Sequence, residues 1–207
     1  MDKLKLITLL ILIFIPSNLH ALIEVDITRG NLNPLPIAIS PLHSDKETTK
    51  ELKKQISIDN IGDKISSVIE NNLKSTGLFN PLERKAFLQK SDVAHLKPRF
   101  EDWSLIKAQA LITGKVEYKE GKVRVEFRLW DVLAAREMLA LAFTTVPNNW
   151  RRIGHIISDK IYHRLTGEKG YFDTRIIYVS EKGPKTKRIK KLAIMDQDGF
   201  NTKYLTL

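Results

Sequence analysis

Val123-Arg124-Val125-Glu126-Phe127-Arg128-Leu129 alternates apolar and charged residues without a break. Successive side chains of a strand point to opposite faces, so this run buries one face and wets the other. Reversals flank it: residues 119–122, with Gly121, read as a hairpin turn, and residues 134–137 as a second. The segments beyond them, 111–118 and 138–145, are apolar and strand-like. Three sequential antiparallel strands are therefore predicted at the centre of the chain.

Helical periodicity lies on both sides of this meander. Ile61, Ile65, Val68, Ile69 and Leu73 form a stripe of the kind a helix buries, with Asp59 as its predicted N-cap and Gly77 as its stop. Trp150, Ile153, Ile157, Ile161 and Leu165 form another, capped by Asn148 or Asn149 and stopped by Gly167. Residues 37–39 read as a short buried strand and residues 79–82 as an extended piece. Shorter helices are predicted over 83–90 and on the spacing of Phe100, Trp103, Ile106 and Ala110. The pattern predicts an α/β fold of α+β type over residues 22–167: two layers, with helices on a mainly antiparallel sheet. Residues 168–207 differ. Strands are predicted over 175–180, 188–196 and 201–207, the last two joined by Asp196-Gln197-Asp198-Gly199, a turn sequence. A three-strand meander with no covering layer is not a domain and reads as an incomplete first blade of a repeat protein.

The N-terminus reads as an export signal over residues 1–21. Lys3 and Lys5 precede a strongly apolar run over residues 6–15, Pro16 breaks it, and Ala21 offers a small residue for cleavage. The run is short for a bilayer-spanning helix. An uncleaved anchor is the alternative, because Leu19 is bulky where a small residue is preferred. Export argues against nucleotide cofactors and nucleic acid as partners. The absence of cysteine removes disulfides, thiol catalysis and Cys-ligated metal. The net charge of +10 is spread along the chain, with one dense cluster at Lys182, Lys185, Lys187, Arg188, Lys190 and Lys191. Lysine at a strand edge discourages edge-to-edge pairing, which accounts for the cluster without a ligand.

Patterns for catalysis are weak. There is no P-loop, no G-x-S-x-G and no H-E-x-x-H. His155, Asp159 and His163 fall at i, i+4, i+8 and so share one helix face, a spacing that could present metal ligands to a hydrolase site. That face lies opposite Ile157 and Ile161, so it is expected to be solvated and structural. Asp196-Gln197-Asp198-Gly199-Phe200-Asn201 resembles part of a calcium loop, but Leu207 stands where the last carboxylate belongs, and a β-turn is the stronger reading. Glu101 and Asp102 fit a helix start. Trp103, Trp130 and Trp150 fit core packing better than a ligand platform. No catalytic residue, metal or cofactor is expected, and no small-molecule substrate.

Several of these stretches resemble the TolB N-terminal domain family. They are Ser75-Thr76-Gly77-Leu78-Phe79-Asn80-Pro81-Leu82, Trp103 before Ala110-Leu111-Ile112-Thr113-Gly114-Lys115-Val116, Phe127-Arg128-Leu129-Trp130-Asp131-Val132, and Trp150-Arg151-Arg152-Ile153-Gly154-His155 through Tyr162 and Leu165-Thr166-Gly167. Gly170-Tyr171-Phe172-Asp173-Thr174-Arg175-Ile176-Ile177-Tyr178-Val179 and Met195-Asp196-Gln197-Asp198-Gly199 resemble the opening of the family's β-propeller. The resemblance implies a non-enzymatic periplasmic scaffold of the Tol–Pal envelope system, which supports outer-membrane integrity and invagination during division. It implies contact with a TolA-like inner-membrane protein through the mature N-terminus, which maps onto Leu22, Ile23, Glu24, Val25, Asp26 and Ile27. Ile23, Val25 and Ile27 alternate with polar residues there, as a strand that adds to a partner's sheet edge would; completing the chain's own sheet is the alternative. The family's propeller contacts the lipoprotein Pal, and the presence of only an opening blade argues against that partner here.

Overall fold

The computed structural model describes residues 33–206. The expected signal segment and residues 22–27 lie outside them. The main sheet runs in the order β3-β1-β4-β5-β6. Its centre is the expected meander: β4 (Ala110–Lys119), β5 (Lys122–Asp131) and β6 (Arg136–Thr145), paired antiparallel along their length. On β5, Val123, Val125, Phe127 and Leu129 are buried to 1% exposure or less, while Arg124 and Arg128 are exposed. β1 (Leu35–Ile39) lies parallel between β4 and β3 (Phe79–Pro81), and the two-residue β2 (His43–Ser44) extends that parallel edge further along β4.

Between β2 and β3 come α1 (Lys46–Ile56) and α2 (Ile61–Ser75). The N-cap of α2 is Asn60, one residue after the expected Asp59. Its backbone sits at φ 54°, a left-handed conformation that asparagine tolerates, and its side chain accepts from the Asp63 amide. Asp59 instead pairs with Lys53 at 2.8 Å. After β6, a single 3₁₀ turn leads into α5 (Trp150–Thr166). α2 and α5 lie side by side on one face of the sheet, and their isoleucines meet Ile37, Ile112 and Phe127 in the main core.

The helix expected over 83–90 is not formed. Only a 3₁₀ turn at residues 84–86 appears, and α3 (Ser91–Ala94) begins later. The backbone here is set by Gln89, which is 4% exposed. Its Oε1 accepts from the Arg99 amide at 2.9 Å and from Trp103 Nε1 at 3.1 Å, and its Nε2 donates to the Lys97 carbonyl at 2.9 Å. Three hydrogen bonds to this buried side chain outweigh local helix propensity. Trp103, on α4 (Phe100–Leu105), anchors a second, smaller core on the reverse face of the sheet with Leu111 and Val132. Trp130 packs beside it and donates to Thr113 Oγ1 at 2.9 Å, so both tryptophans serve packing.

A separate antiparallel sheet follows: β7 (Arg175–Lys182), β8 (Ile189–Asp196) and β9 (Lys203–Tyr204). The strand expected over 201–207 is thus reduced to two residues. Ile177, Val179 and Ile189 are more than half exposed on this sheet. No described helix is long and apolar enough to cross a membrane.

Candidate functional site

The second sheet is bonded to α2 and α5 through the turn at residues 196–199. Gly154 lets α5 approach α2 closely, since a Cβ there would stand 2.9 Å from Val68 Cγ1. The next residue, His155, is 2% exposed. Its Nδ1 lies 3.0 Å from Asn72 Nδ2, which is also 3.0 Å from Ser158 Oγ. Ser158 in turn donates to the Gly154 carbonyl at 2.8 Å. The remaining atom of the amide, Asn72 Oδ1, accepts from Gln197 Nε2 at 3.0 Å. Read together, these bonds make Nδ1 of His155 an acceptor and place its proton on Nε2. Nε2 faces Asp198 Oδ2 at 3.6 Å, too far for a hydrogen bond, and has no other partner among the described residues. Asp198 is held by the Arg151 guanidinium, which also lies 3.8 Å over the Phe200 ring.

A second clamp lies one turn further along α5. The Asp159 carboxylate accepts from the amides of Phe172 at 2.7 Å and Asp173 at 3.1 Å. Gly170 permits this, because a Cβ there would fall 2.4 Å from Asp159 Oδ1. Asp173 then receives a bidentate contact from Arg152, with Nε–Oδ1 at 3.0 Å and Nη2–Oδ2 at 3.0 Å. The turn itself closes through the Gly199 amide on the Asp196 carbonyl at 2.9 Å, as a β-turn and not a calcium loop. Around this seam is a polar cleft of about 510 Å³, floored by His155 and rimmed by Arg152, Arg175, Asp196 and Lys203.

His155, Asp196 and Asp198 bring three ligand atoms within 4.8 Å of one another. The chemistry of the donors disfavours a cation. Arg151 already neutralises Asp198, Asn201 is bonded to Asp196, and Nε2 carries the imidazole proton. Arg152 likewise pairs with Asp173, and Arg175 lies 3.8 Å from Asp196, so these carboxylates already face guanidinium groups.

These positions correct the expected solvated face. His155 is buried between α2 and the turn, Asp159 holds the Phe172 loop, and only His163 is exposed, with Nδ1 3.2 Å from the Glu168 carbonyl. The three do not converge. The helix has a second cover, and its opposite face is dry for that reason. Asn72, which completes the seam, carries no signal in the sequence; Gln197 is marked only as part of the Asp-Gln-Asp-Gly turn and Arg151 only as part of a stretch resembling the family, neither as a seam residue. The residues expected to bind a partner, Leu22 to Ile27, fall outside the described part of the chain.

A mixed α/β domain clamped through its last helix to a following antiparallel sheet defines a modular two-part protein. Its family follows from sequence: a model of the TolB amino-terminal domain matches residues 23–138, and the chain belongs to that family. It is 71% identical over 198 residues to the Tol-Pal system protein TolB of Pelagibacter ubique (strain HTCC1062), a match covering 96% of this chain and 44% of that protein. The chain therefore spans less than half the length of this curated relative. The fold is also that of the crystal structure of TolB from Acinetobacter baumannii, with a TM-score of 0.66 at 24% identity over 84% of this chain and 39% of that one.

Proposed function

We propose that the chain acts in the periplasm as a non-enzymatic scaffold of the Tol–Pal envelope system, supporting outer-membrane integrity and invagination during division. The observation that carries this reading is the identity with a Tol-Pal TolB, which runs through both the α/β domain and the β7–β9 sheet. The use of the chain's His and Asp groups supports it further: the seam spends them on internal bonds. The proposed organisation is an export signal over 1–21, a partner-binding domain over 22–167 and the opening strands of a propeller over 168–207. Residues 22–27 pair with the sheet edge of a TolA-like partner through backbone bonds, and Ile23, Val25 and Ile27 fill its pockets. Pal stays outside the proposal, since its contact in the family lies on the propeller.

Replacing Ile23, Val25 and Ile27 with serine tests this. Each buried aliphatic is worth roughly 1.5–3 kcal/mol, so loss of even two such anchors weakens binding about a hundredfold or more. Pull-down and calorimetry against a purified TolA-like domain read the affinity, and thermal unfolding reads the fold. Unchanged affinity refutes the partner strand; a collapsed fold shows that the segment belongs to the chain's own sheet.

A further inference from the structure

We infer that His155 is a proton-sensitive latch between the α/β domain and the β7–β9 sheet, its state relayed through Asn72 to Gln197 on the turn. The relay follows from the direction of the bonds. With His155 neutral, Asn72 Nδ2 donates to Nδ1, and Asn72 Oδ1 remains free to accept from Gln197 Nε2. A second proton on the imidazole turns Nδ1 into a donor, so two donors then face each other at 3.0 Å. Asn72 relieves this by turning its amide over, which presents Oδ1 to Nδ1 and requires Ser158 to swing its hydroxyl proton from the Gly154 carbonyl to Oδ1. That turn presents Nδ2 to Gln197 Nε2, again donor against donor. Gln197 must then turn as well or leave. The consequence reaches the sheet because Gln197 sits between Asp196, the last residue of β8, and Asp198, the partner of Arg151.

The groups facing the imidazole decide the sign. Asn72 comes from α2, Arg151 and Ser158 from α5, Asp173 from the connection, and Asp196, Gln197 and Asp198 from the turn. Burial pushes the His155 imidazole below the usual histidine range and the Arg151 guanidinium adds to this, while Asp198, Asp196 and Asp173 pull upward without overcoming it. The docked seam thus disfavours the charged ring. The neutral ring's contribution to the seam is fully present above about pH 6.5, the ordinary histidine value, and is lost as the pH falls from there through the docked value.

An NMR titration of the full chain from pH 8 to 4.5, with hydrogen-exchange protection factors for the β7–β8 amides, tests the latch. The His155 ring should titrate with a midpoint below 6.5, the side-chain amides of Asn72 and Gln197 should shift with the same midpoint, and β7–β8 protection should fall several-fold in acid. His155→Gln should remove the step, which also separates it from the titration of His43. Gln197→Met should leave the His155 titration in place while uncoupling the sheet from it. A midpoint at or above 6.5, a silent Gln197, or an acid step that survives His155→Gln would each overturn the latch.

Discussion

Asp159 offers the sharpest contrast between a ligand and a structural clamp, and replacing it with alanine separates the two. Its carboxylate accepts from two backbone amides, at 2.7 Å from Phe172 and 3.1 Å from Asp173. A hydrogen bond to a charged group is worth about 1.5–3 kcal/mol, and a stranded amide adds to the loss. Water reaches part of the loop once it opens, so the net cost is about 3 kcal/mol. The loop also carries Phe172, which is fully buried in the main core. Its release would forfeit a further ~1.5–3 kcal/mol, so the loop opens locally only at considerable expense. In Asp159→Ala the protection of the Phe172 and Asp173 amides should therefore fall by roughly a hundredfold, since 1.36 kcal/mol is a factor of ten. Asp159→Asn keeps one acceptor oxygen and should lose about half of that in free energy. Urea unfolding followed by tryptophan fluorescence gives the global value alongside. Protection that survives in Asp159→Ala, or a destabilisation below about 0.5 kcal/mol, would refute the clamp.

Two further outcomes follow from the packing. Gly154→Val drives side-chain atoms into Val68, already 2.9 Å from an added Cβ, and should cost about 1–3 kcal/mol in urea, part of it recovered in the double variant with Val68→Ala. In native-state hydrogen exchange, β7–β8 amides should exchange far faster than those of Val123 to Leu129, because Ile177 and Val179 are about 60% exposed while Val123, Val125, Phe127 and Leu129 are buried; equal protection in a monomer would contradict this.

The meander was legible because its environment is simple. From Val123 to Leu129 β5 has a dry face and a wetter face, so a period of two survives in the sequence as Val-Arg-Val-Glu-Phe-Arg-Leu. The buried stripes of α2 and α5 were legible for the same reason, each having one core to face. The loop at residues 84–90 was not. Its conformation depends on Gln89 meeting Lys97, Arg99 and Trp103, eight to fourteen residues away. No local propensity encodes a bond to a residue that only the fold brings near. The Asn60 cap shows the smaller version of this failure, a one-residue shift decided by which side chain accepts a left-handed backbone.

The face of α5 that carries His155 failed for a different reason. A helical wheel divides residues into those facing a core and those facing water, which presumes one cover. His155 does point away from Ile157 and Ile161, as the 100° spacing requires. The turn at residues 196–199, some forty residues later, supplies the second cover. A polar face so covered must satisfy most of its groups internally, and the chain does so with Asn72, Arg151 and Asp159, leaving His155 Nε2 and Arg151 Nε without a hydrogen bond among the described residues. Histidine on such a face is thus neither core nor surface: it is a titratable group placed where two units meet. The coupling between those units is written in polar residues without periodicity. Had the seam been apolar, its pattern would have been visible, but no proton could have loosened it.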